Sequence, residues 1–317
     1  MPNIIITNRR RPGVPPKFSQ DVSREADWNI NCHELNVAFN FFAVSVPYGV
    51  RAMNITGGEP VLHPRFEELF YVYNRVLDET ELHGHVLTDG VGFASYVGSM
   101  GAKCGVVLNY LSSKELGREN AAALAEAEDA LARAGMFRST QAAVNVDVAL
   151  APPGHYERLF DMVREYRVPE VRLVVALPHG TPDRMAYFRK LAPQLADLAK
   201  GISSAGALAV PVCGCVPSCV LSDEEARALN AATGLPFSVK QTCFNDFQLY
   251  VDKHLRIRPC YGARGESVYM NDFNSFDEVY AHFHYSGTTT PEPEGECRSC
   301  DKFRQHRCGG GCLSKGE

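Results

Sequence analysis

Short apolar runs alternate with longer amphipathic stretches from Asn3 to about Val212. Each run is nearly continuously apolar, which is typical of parallel strands that are buried on both faces. Stretches such as 67–79 and 119–134 between the runs follow the helical period. Six strand–helix units in succession predict one parallel sheet, either doubly wound or curved toward a barrel. The predicted strands cover residues 3–7, 51–56, 84–88, 103–109, 143–148 and 171–177.

The last third of the chain has a different pattern. It is richer in glycine and proline, and residues 222–233 predict one further helix. Two short apolar runs, 249–251 and 255–257, predict a hairpin although the turn between them has no glycine. We therefore expect two domains, residues 1–210 and residues 211–317.

Composition narrows the class of protein. Hydrophobic residues make up 45% of the chain, which is enough for a large buried core. The net charge of −5 argues against a nucleic-acid or membrane-surface binder. No apolar run reaches the roughly 20 residues of a membrane span, and we find no secretory leader. The sequence thus predicts a soluble cytoplasmic protein.

The cysteines are concentrated at one end. Nine of the eleven lie beyond residue 212. A disulfide framework is typical of small secreted domains with little core, so metal ligation explains the clustering better. The spacing Cys297-x2-Cys300-x7-Cys308-x3-Cys312 is a strong metal-binding signal. Four thiolates also suit zinc, which stays the competing metal, and partly free thiols are the third alternative.

A glycine-rich turn follows the second predicted strand. Residues 54–64 read NITGGEPVLHP, so Gly57 and Gly58 allow close backbone approach, Glu59 supplies a carboxylate and Pro60 stiffens the exit. Ligands of parallel sheets bind at the carboxyl ends of the strands, where this turn lies. The alternative interpretation is a tight strand–helix turn without a ligand.

With these features the chain resembles the radical S-adenosylmethionine superfamily, specifically members with a cysteine-rich SPASM/twitch extension. The resemblance implies an α/β fold, a partial (β/α)6 barrel followed by an auxiliary-cluster domain. It also implies that Gly57–Pro60 contact the methionine amino group of the cofactor. Asp89, in the segment Thr88-Asp89-Gly90, is similar to a second cofactor-binding position, and Asn109 stands where a polar residue approaches the ribose.

The same resemblance assigns the thiolates to one or two auxiliary [4Fe-4S] clusters. Cys243 and Cys260 bracket the hairpin as in SPASM/twitch proteins, and the CGCVPSC segment adds further ligands. Either Cys213 or Cys215 is left over, and Cys213 is favoured as the ligand. The implied set is Cys213, Cys219, Cys243, Cys260, Cys297, Cys300, Cys308 and Cys312.

The motif that defines the superfamily is missing. Its CxxxCxxC loop after strand one binds the radical-initiating [4Fe-4S] cluster, but here the register places Arg10, Val14 and Lys17 at the three ligand positions. Arginine stays cationic, valine has no donor atom and a lysine amine suits an iron–sulfur cluster poorly. We therefore expect no radical-initiating cluster, while S-adenosylmethionine binding stays open.

Three functions follow from this combination. The first is a pseudoenzyme in peptide or natural-product maturation that binds a peptide or small-molecule substrate, or that partners an intact radical enzyme. The second is a cluster-independent transferase that uses S-adenosylmethionine for polar methyl or alkyl transfer. The third is a radical maturase with an unconventional cluster.

Several other polar residues have structural interpretations. The run Arg9–Arg11 either holds an anion near the site or is a solvated basic loop. His63 is expected in a turn near the cofactor, and His85 is expected at the surface of a strand start. Arg172, in the sixth strand, is expected either in a structural ion pair or at a cofactor carboxylate.

Overall fold

A computed structural model describes residues 2–12, 26–175, 183–213, 216–234, 249–259, 267–285 and 299–305. Within these ranges the strands are β1 Asn3–Thr7, β2 Ala52–Gly57, β3 His83–Thr88, β4 Cys104–Asn109, β5 Ala142–Val148, β6 Glu170–Val175, β7 Leu208–Cys213, β8 Tyr250–Val251, β9 Arg256–Arg258 and β10 Val268–Tyr269. The α-helices are α1 Cys32–Val44, α2 Phe66–Glu79, α3 Ser113–Arg133, α4 Glu157–Tyr166, α5 Arg184–Ala205, α6 Asp223–Thr233, α7 Phe276–Tyr285 and α8 Asp301–Arg304.

All ten strands belong to one sheet, in the order β10-β9-β8-β1-β2-β3-β4-β5-β6-β7. Strands β1 to β7 pair with their sequence neighbours in parallel, and helices connect most of them. Strand β8 adds to β1 in parallel, whereas β9 and β10 are antiparallel. The predicted α/β partial barrel is confirmed, and β8 of the C-terminal third extends the sheet of the first part.

The two faces of the sheet differ in chemistry. Residues such as Ile4, Ile55 and Val86 point toward the helices and belong to one apolar core with α1, α2 and α5. The register of the parallel pairs puts Asn54 and His85 side by side on the opposite face. We call this opposite face the inner face; its polar members include Asn3, Asn54, His85, Asn109, Asn145 and Arg172.

A seventh parallel strand, β7, was not among the six predicted strands. Its sequence, LAVPVC, contains Pro211, and a proline inside a run argues against a central strand because it cannot donate to the ladder. Among the described strands, β7 lies at the edge of the sheet and pairs with β6 alone, so the missing N–H removes no bond to a second described neighbour. The strand prediction was therefore incomplete by one unit.

The predicted hairpin is confirmed as β8 and β9, and side chains replace the missing glycine. Asp252 Oδ1 accepts hydrogen bonds from the backbone N–H groups of His254, at 2.9 Å, and Arg256, at 3.1 Å. Leu255 takes the left-handed conformation, with φ of 57°, that a glycine usually supplies. The predicted helix at 222–233 is also confirmed as α6, whose N-terminus is closed by a capping box between Ser222 and Glu225. Among the described residues, no helix combines the length and apolar character needed to cross a membrane.

Candidate functional site

The glycine pair after β2 is required by the chain's own backbone. Gly58 N–H donates to the Thr7 carbonyl oxygen at 2.8 Å, and Glu59 N–H donates to that of Arg9 at 2.8 Å. A Cβ on Gly57 would lie 2.4 Å from the Thr7 oxygen, and one on Gly58 would lie 2.1 Å from the Arg9 oxygen. Both positions therefore exclude any side chain, because the loop after β1 lies directly against this turn.

The Glu59 carboxylate joins the ends of β2 and β3. It accepts hydrogen bonds from Thr88 Oγ1 at 2.7 Å, from Asp89 N–H at 2.6 Å and from Val61 N–H at 3.2 Å. The residue is only 3% exposed, and Pro60 directly after it is buried as well. The carboxylate predicted to contact a cofactor is thus engaged by three donors of the protein itself.

Arg11 lies across the end of β3. Its Nε is 3.2 Å from Asp89 Oδ2, and its Nη2 donates to the Val91 carbonyl oxygen. The Arg11 and Asp89 side chains are 17% and 9% exposed, respectively. At Arg11, then, the interpretation of Arg9–Arg11 as a solvated loop is wrong. Arg9 has a 42% exposed side chain and lies 3.9 Å from Asp27.

The two carboxyl groups of the site share one nearby cation. Burial, together with the charge of Asp89, raises the pKa of Glu59 well above its ordinary value. Burial also raises the pKa of Asp89, but Arg11 and the Val91 N–H oppose this by stabilising the carboxylate. The Glu59 side chain also hydrogen-bonds to Asp89. Burial thus favours the neutral form of Glu59, whereas Arg11 stabilises the ionised form of Asp89.

Asn109 lies at the end of β4 on the inner face, and its approach to a cofactor stays a prediction. Asn145 Nδ2, on the adjacent strand β5, donates to Asn109 Oδ1 at 2.9 Å. The sequence analysis missed Asn145, although its place in the run AVNVDV, a polar residue between buried valines, was the available signal.

A row of three polar residues crosses β1, β2 and β3 below the strand ends. The backbone N–H of His85 donates to Asn54 Oδ1 at 3.1 Å, which fixes the orientation of that amide. Asn54 Nδ2 then donates to Asn3 Oδ1 at 2.9 Å. His85 Nδ1 lies 3.2 Å from the same Asn54 oxygen and must carry the proton. Burial, with the positive charge of Arg172, lowers the pKa of His85 to about 4.

These contacts bear on three interpretations of the sequence. His85 was expected at the surface, but its imidazole is half-buried on the inner face and bonded to Asn54. Arg172 Nε donates to Glu170 Oε1 at 2.7 Å, so the structural ion pair is the correct alternative. His63 is a buried turn residue, with Nε2 2.9 Å from the Ile30 oxygen and Nδ1 accepting from Arg65 N–H.

Most of the predicted cluster ligands lie outside the described residues. Cys219 is exposed and Cys300 is half-buried, while Cys213 ends β7. Within the described ranges, no three side chains of His, Cys, Asp or Glu come together as a metal site. The remaining members of the set, and Cys215, are not described, so the auxiliary clusters stay a prediction. The undescribed ligands are Cys243, Cys260, Cys297, Cys308 and Cys312.

In the register predicted from the sequence, Arg10 stands at the first ligand position of the CxxxCxxC motif. Val14 and Lys17, at the other two positions, lie outside the described residues. A guanidinium cannot ligate iron, and the neighbouring Arg11 brings a second positive charge to the end of β3. The donor set therefore does not fit a radical-initiating [4Fe-4S] cluster, and the protein chemistry at this site has to be derived without one.

Comparisons with known proteins identify the fold. No family model and no curated protein sequence matches the chain. Among solved structures, Streptococcus suis SuiB bound to S-adenosylmethionine is similar over 98% of this chain and 72% of SuiB, at 13% identity and a TM-score of 0.63. SuiB bound to the precursor peptide SuiA matches at 14% identity and a TM-score of 0.65. The structure of anSMEcpe with bound AdoMet matches over 98% of this chain and 88% of the anSMEcpe chain, at 15% identity and a TM-score of 0.59.

The likeness to these neighbours lies in the fold rather than in the sequence. At sequence identities of 13–15%, the comparisons show the fold of this chain and nothing about its activity. The chain has the radical S-adenosylmethionine fold.

Proposed function

We propose that this protein is a radical-S-adenosylmethionine-like protein without the radical-initiating cluster, acting as a pseudoenzyme or substrate-binding subunit in peptide or natural-product maturation. It would bind a peptide or small molecule on the inner face and keep one or two auxiliary iron–sulfur clusters in its C-terminal third. The structural neighbour SuiB, which has been solved with its precursor peptide SuiA, is the basis for the peptide as ligand class.

One observation carries the proposal. The loop after β1 brings Arg11 to the site and has Arg10 where the first cluster ligand would be, and Arg11 neutralises Asp89 at 3.2 Å. Residues 8–25 contain no cysteine, and the arginines of this loop stay cationic and cannot be converted to iron ligands by deprotonation. We therefore propose that a protein with this loop binds its ligand through polar contacts and shape, and that it carries out no radical chemistry.

A second candidate is a cluster-independent transferase that uses S-adenosylmethionine. The retention of Gly57, Gly58 and Glu59 at the end of β2 favours it, because polar transfer requires a positioned nucleophile and excluded water but no iron. The Glu59 carboxyl group accepts hydrogen bonds from Thr88, Asp89 and Val61, so a cofactor bound to it would have to compete with these donors.

The deciding experiment restores the missing ligands. The wild-type chain and the triple variant Arg10→Cys, Val14→Cys, Lys17→Cys are purified anaerobically and reconstituted, and iron and sulfide are counted. We expect the triple variant to bind about four more iron atoms per chain than the wild type, which is one additional [4Fe-4S] cluster.

A matched control uses the C-terminal cysteines. Replacing all nine by alanine in the wild type is expected to remove every cluster, because only auxiliary sites are proposed. A cluster that survives in that variant and cleaves S-adenosylmethionine reductively would overturn the proposed function. Methyl or alkyl transfer by the wild type without iron would instead support the transferase.

A further inference from the structure

The connection between β3 and β4 leaves one side of α2 partly uncovered. Residues 89–103, all of which are described, contain a 3₁₀ helix at Ala94–Ser99 but no α-helix, whereas α1 to α5 lie in the other connections from β1 to β7. At about 12 Å, the 3₁₀ helix is shorter than the roughly 21 Å of α2 and cannot cover its whole side. A groove of about 1030 Å³ lies between the two elements, which is at the upper end of the range for ligand pockets.

The floor of this groove is aromatic and is held in place by contacts within the protein. Phe66 and Phe70 stack with their ring centroids 5.4 Å apart, and Tyr96 of the 3₁₀ helix packs edge-on against Phe66 at 4.9 Å. Further along α2, Asn74 Oδ1 accepts a hydrogen bond from Gly101 N–H at 2.9 Å. These contacts fix both walls without a ligand, as is usual for a preformed binding site.

One face of α2 brings two carboxylates to the groove. Glu67, Tyr71 and Asp78 are at positions i, i+4 and i+11 of the helix and therefore share a face. Glu67 and Tyr71 line the groove, and Asp78 lies beyond Asn74, next to Gly101. Both carboxylates are exposed, and the Tyr71 residue is 65% exposed between them. The face thus presents a negative charge at each end and an aromatic ring in the middle.

The neighbouring cations do not neutralise these two carboxylates. Arg65 pairs with Glu68 at 2.5 Å, and Arg75 pairs with Glu79 at 2.7 Å. Lys103 Nζ donates to backbone oxygens at the end of α2 rather than to a carboxylate. In the part of the chain that the structure describes, neither groove carboxylate has an ion-pair partner. The groove therefore has a net negative charge available to a ligand.

The wall opposite α2 offers hydrogen-bond acceptors. Ser95 Oγ donates to the Gly92 oxygen at 3.3 Å, and Ser99 Oγ donates to the Tyr96 oxygen at 2.9 Å. Because a hydroxyl group has a single proton, both serine oxygens are left to accept hydrogen bonds from a ligand. The N–H groups of an extended peptide are suitable donors, since they recur at regular intervals along its backbone.

The spacing of the carboxylates indicates the length of the ligand. Glu67 and Asp78 are eleven residues apart on α2, which corresponds to about 16 Å along the helix axis. An extended peptide rises about 3.3 Å per residue, so basic side chains about five residues apart reach both carboxylates. Apolar side chains between them, and the aliphatic stems of the basic residues, can pack on the aromatic floor and on Tyr71.

We propose that the groove between α2 and the 3₁₀ helix is a docking site for an extended basic segment of a peptide ligand. Lysine or arginine side chains of this segment pair with Glu67 and Asp78, and an apolar side chain between them packs against Tyr71. The groove lies in the outer, helical layer, so it holds the peptide at a second place in addition to the inner face. The inference rests on the proposed function for the peptide as ligand class.

The experiment measures binding of a defined set of peptides to the full-length protein. Fluorescein-labelled hexapeptides with lysine at both ends, and varied apolar and polar residues between, are titrated with protein and followed by fluorescence anisotropy. The same peptides with Nε-acetyllysine at both ends remove only the charges. The groove variants are Glu67→Gln, Asp78→Asn, their double variant and Tyr71→Ala. The matched control is Glu126→Gln, which neutralises an exposed carboxylate on α3.

We expect the tightest lysine peptide to lose about threefold in affinity in each single carboxylate variant and about tenfold in the double variant. Tyr71→Ala is expected to lose about tenfold, because it removes the central aromatic contact. Acetylation of both lysines should weaken binding to the wild type about tenfold and should have no further effect on the double variant. Glu126→Gln should bind both forms as the wild type does.

Three results would overturn the inference. The first is a wild type that binds no lysine peptide more tightly than its acetyllysine form, a comparison that needs no variant to fold. The second is an equal loss of affinity in Glu126→Gln and Glu67→Gln, which would indicate diffuse charge rather than a groove. The third is a double variant that still distinguishes the two peptide forms. None of these alters the iron count of the wild type, so failure here is distinguishable from failure of the proposed function.

Discussion

The neutral state of His85 predicts how stability depends on pH. The imidazole carries its proton on Nδ1, where Asn54 Oδ1 accepts at 3.2 Å, and this arrangement holds for the neutral ring. Burial is the main cause that lowers the pKa of His85 to about 4, and the positive charge of Arg172 contributes in the same direction. Protonating Nε2 would place a second cation beside that arginine on the inner face.

The sign and size follow from proton linkage. Below pH 6.5, the ordinary pKa of histidine, His85 is protonated in the unfolded chain, whereas in the folded protein it stays neutral down to about pH 4. The contribution of His85 to the free energy of unfolding is therefore largest well above pH 6.5 and falls as the pH is lowered. The loss is about 2 kcal/mol at pH 5 and approaches about 3 kcal/mol near pH 4.

Urea unfolding of the wild type and of His85→Gln at several pH values isolates this residue. Other groups, including Glu59, whose raised pKa acts in the opposite direction, contribute equally to both proteins and cancel in the difference. The stability gap between the two is expected to shrink by about 2 kcal/mol from pH 7 to pH 5. His83→Gln, at an exposed position of the same strand, is the control and should follow the wild type. A stability difference between the wild type and His85→Gln that stays constant over this range would contradict the neutral state of the folded imidazole.

Two further substitutions test packing around the site and in the helices. Gly58→Ala must displace the loop after β1, whose backbone oxygen is 2.1 Å from the added Cβ, and is expected to cost about 2 kcal/mol or more in urea unfolding. Gly98→Ala, with no atom within 4 Å, should leave stability nearly unchanged. Arg158→Ala leaves Glu128, 5% exposed and paired at 2.8 Å, without its partner and is expected to cost about 3 kcal/mol. Arg164→Ala breaks an exposed pair and should cost less than about 1 kcal/mol, and equal losses for the two arginines would contradict this contrast.

The sequence predicted the parallel sheet because its signal is local. Strands such as β1, β4 and β5 are buried along nearly their whole length, so a nearly continuous apolar run marks each of them. Strand β7 lacked that signal through Pro211, and only its position at the edge of the sheet explains why the proline is tolerated. Edge or centre is a property of the whole sheet and cannot be read from one segment.

The location of the candidate site was predictable from the sequence, but the contacts between its side chains were not. The motif at Gly57–Pro60 and the segment at Asp89 were found by their position after strands, and both lie together at the carboxyl ends. The partner of Asp89 was not predicted, because Arg11 and Asp89 are 78 residues apart and three adjacent arginines give no sign of which one turns inward. The registers of β1 with β2 and of β2 with β3 were needed to identify Arg11 as the partner of Asp89.

The location of the apolar core explains why the fold tolerates changes at the start of the loop after β1. The core lies between the outer face of the sheet and the helices, and it includes Ile4, Ile55 and Val86 but none of the described residues 8–12 of that loop. The loop is held by backbone hydrogen bonds to Gly58 and Glu59, which do not depend on the side chains at positions 9 to 11. Substitutions at positions 9 to 11 therefore cost little apolar packing, and the charge of Arg11 is balanced locally by Asp89. Because stability and ligand chemistry are carried by different layers, this fold can change its chemistry at the strand ends without being selected against for instability.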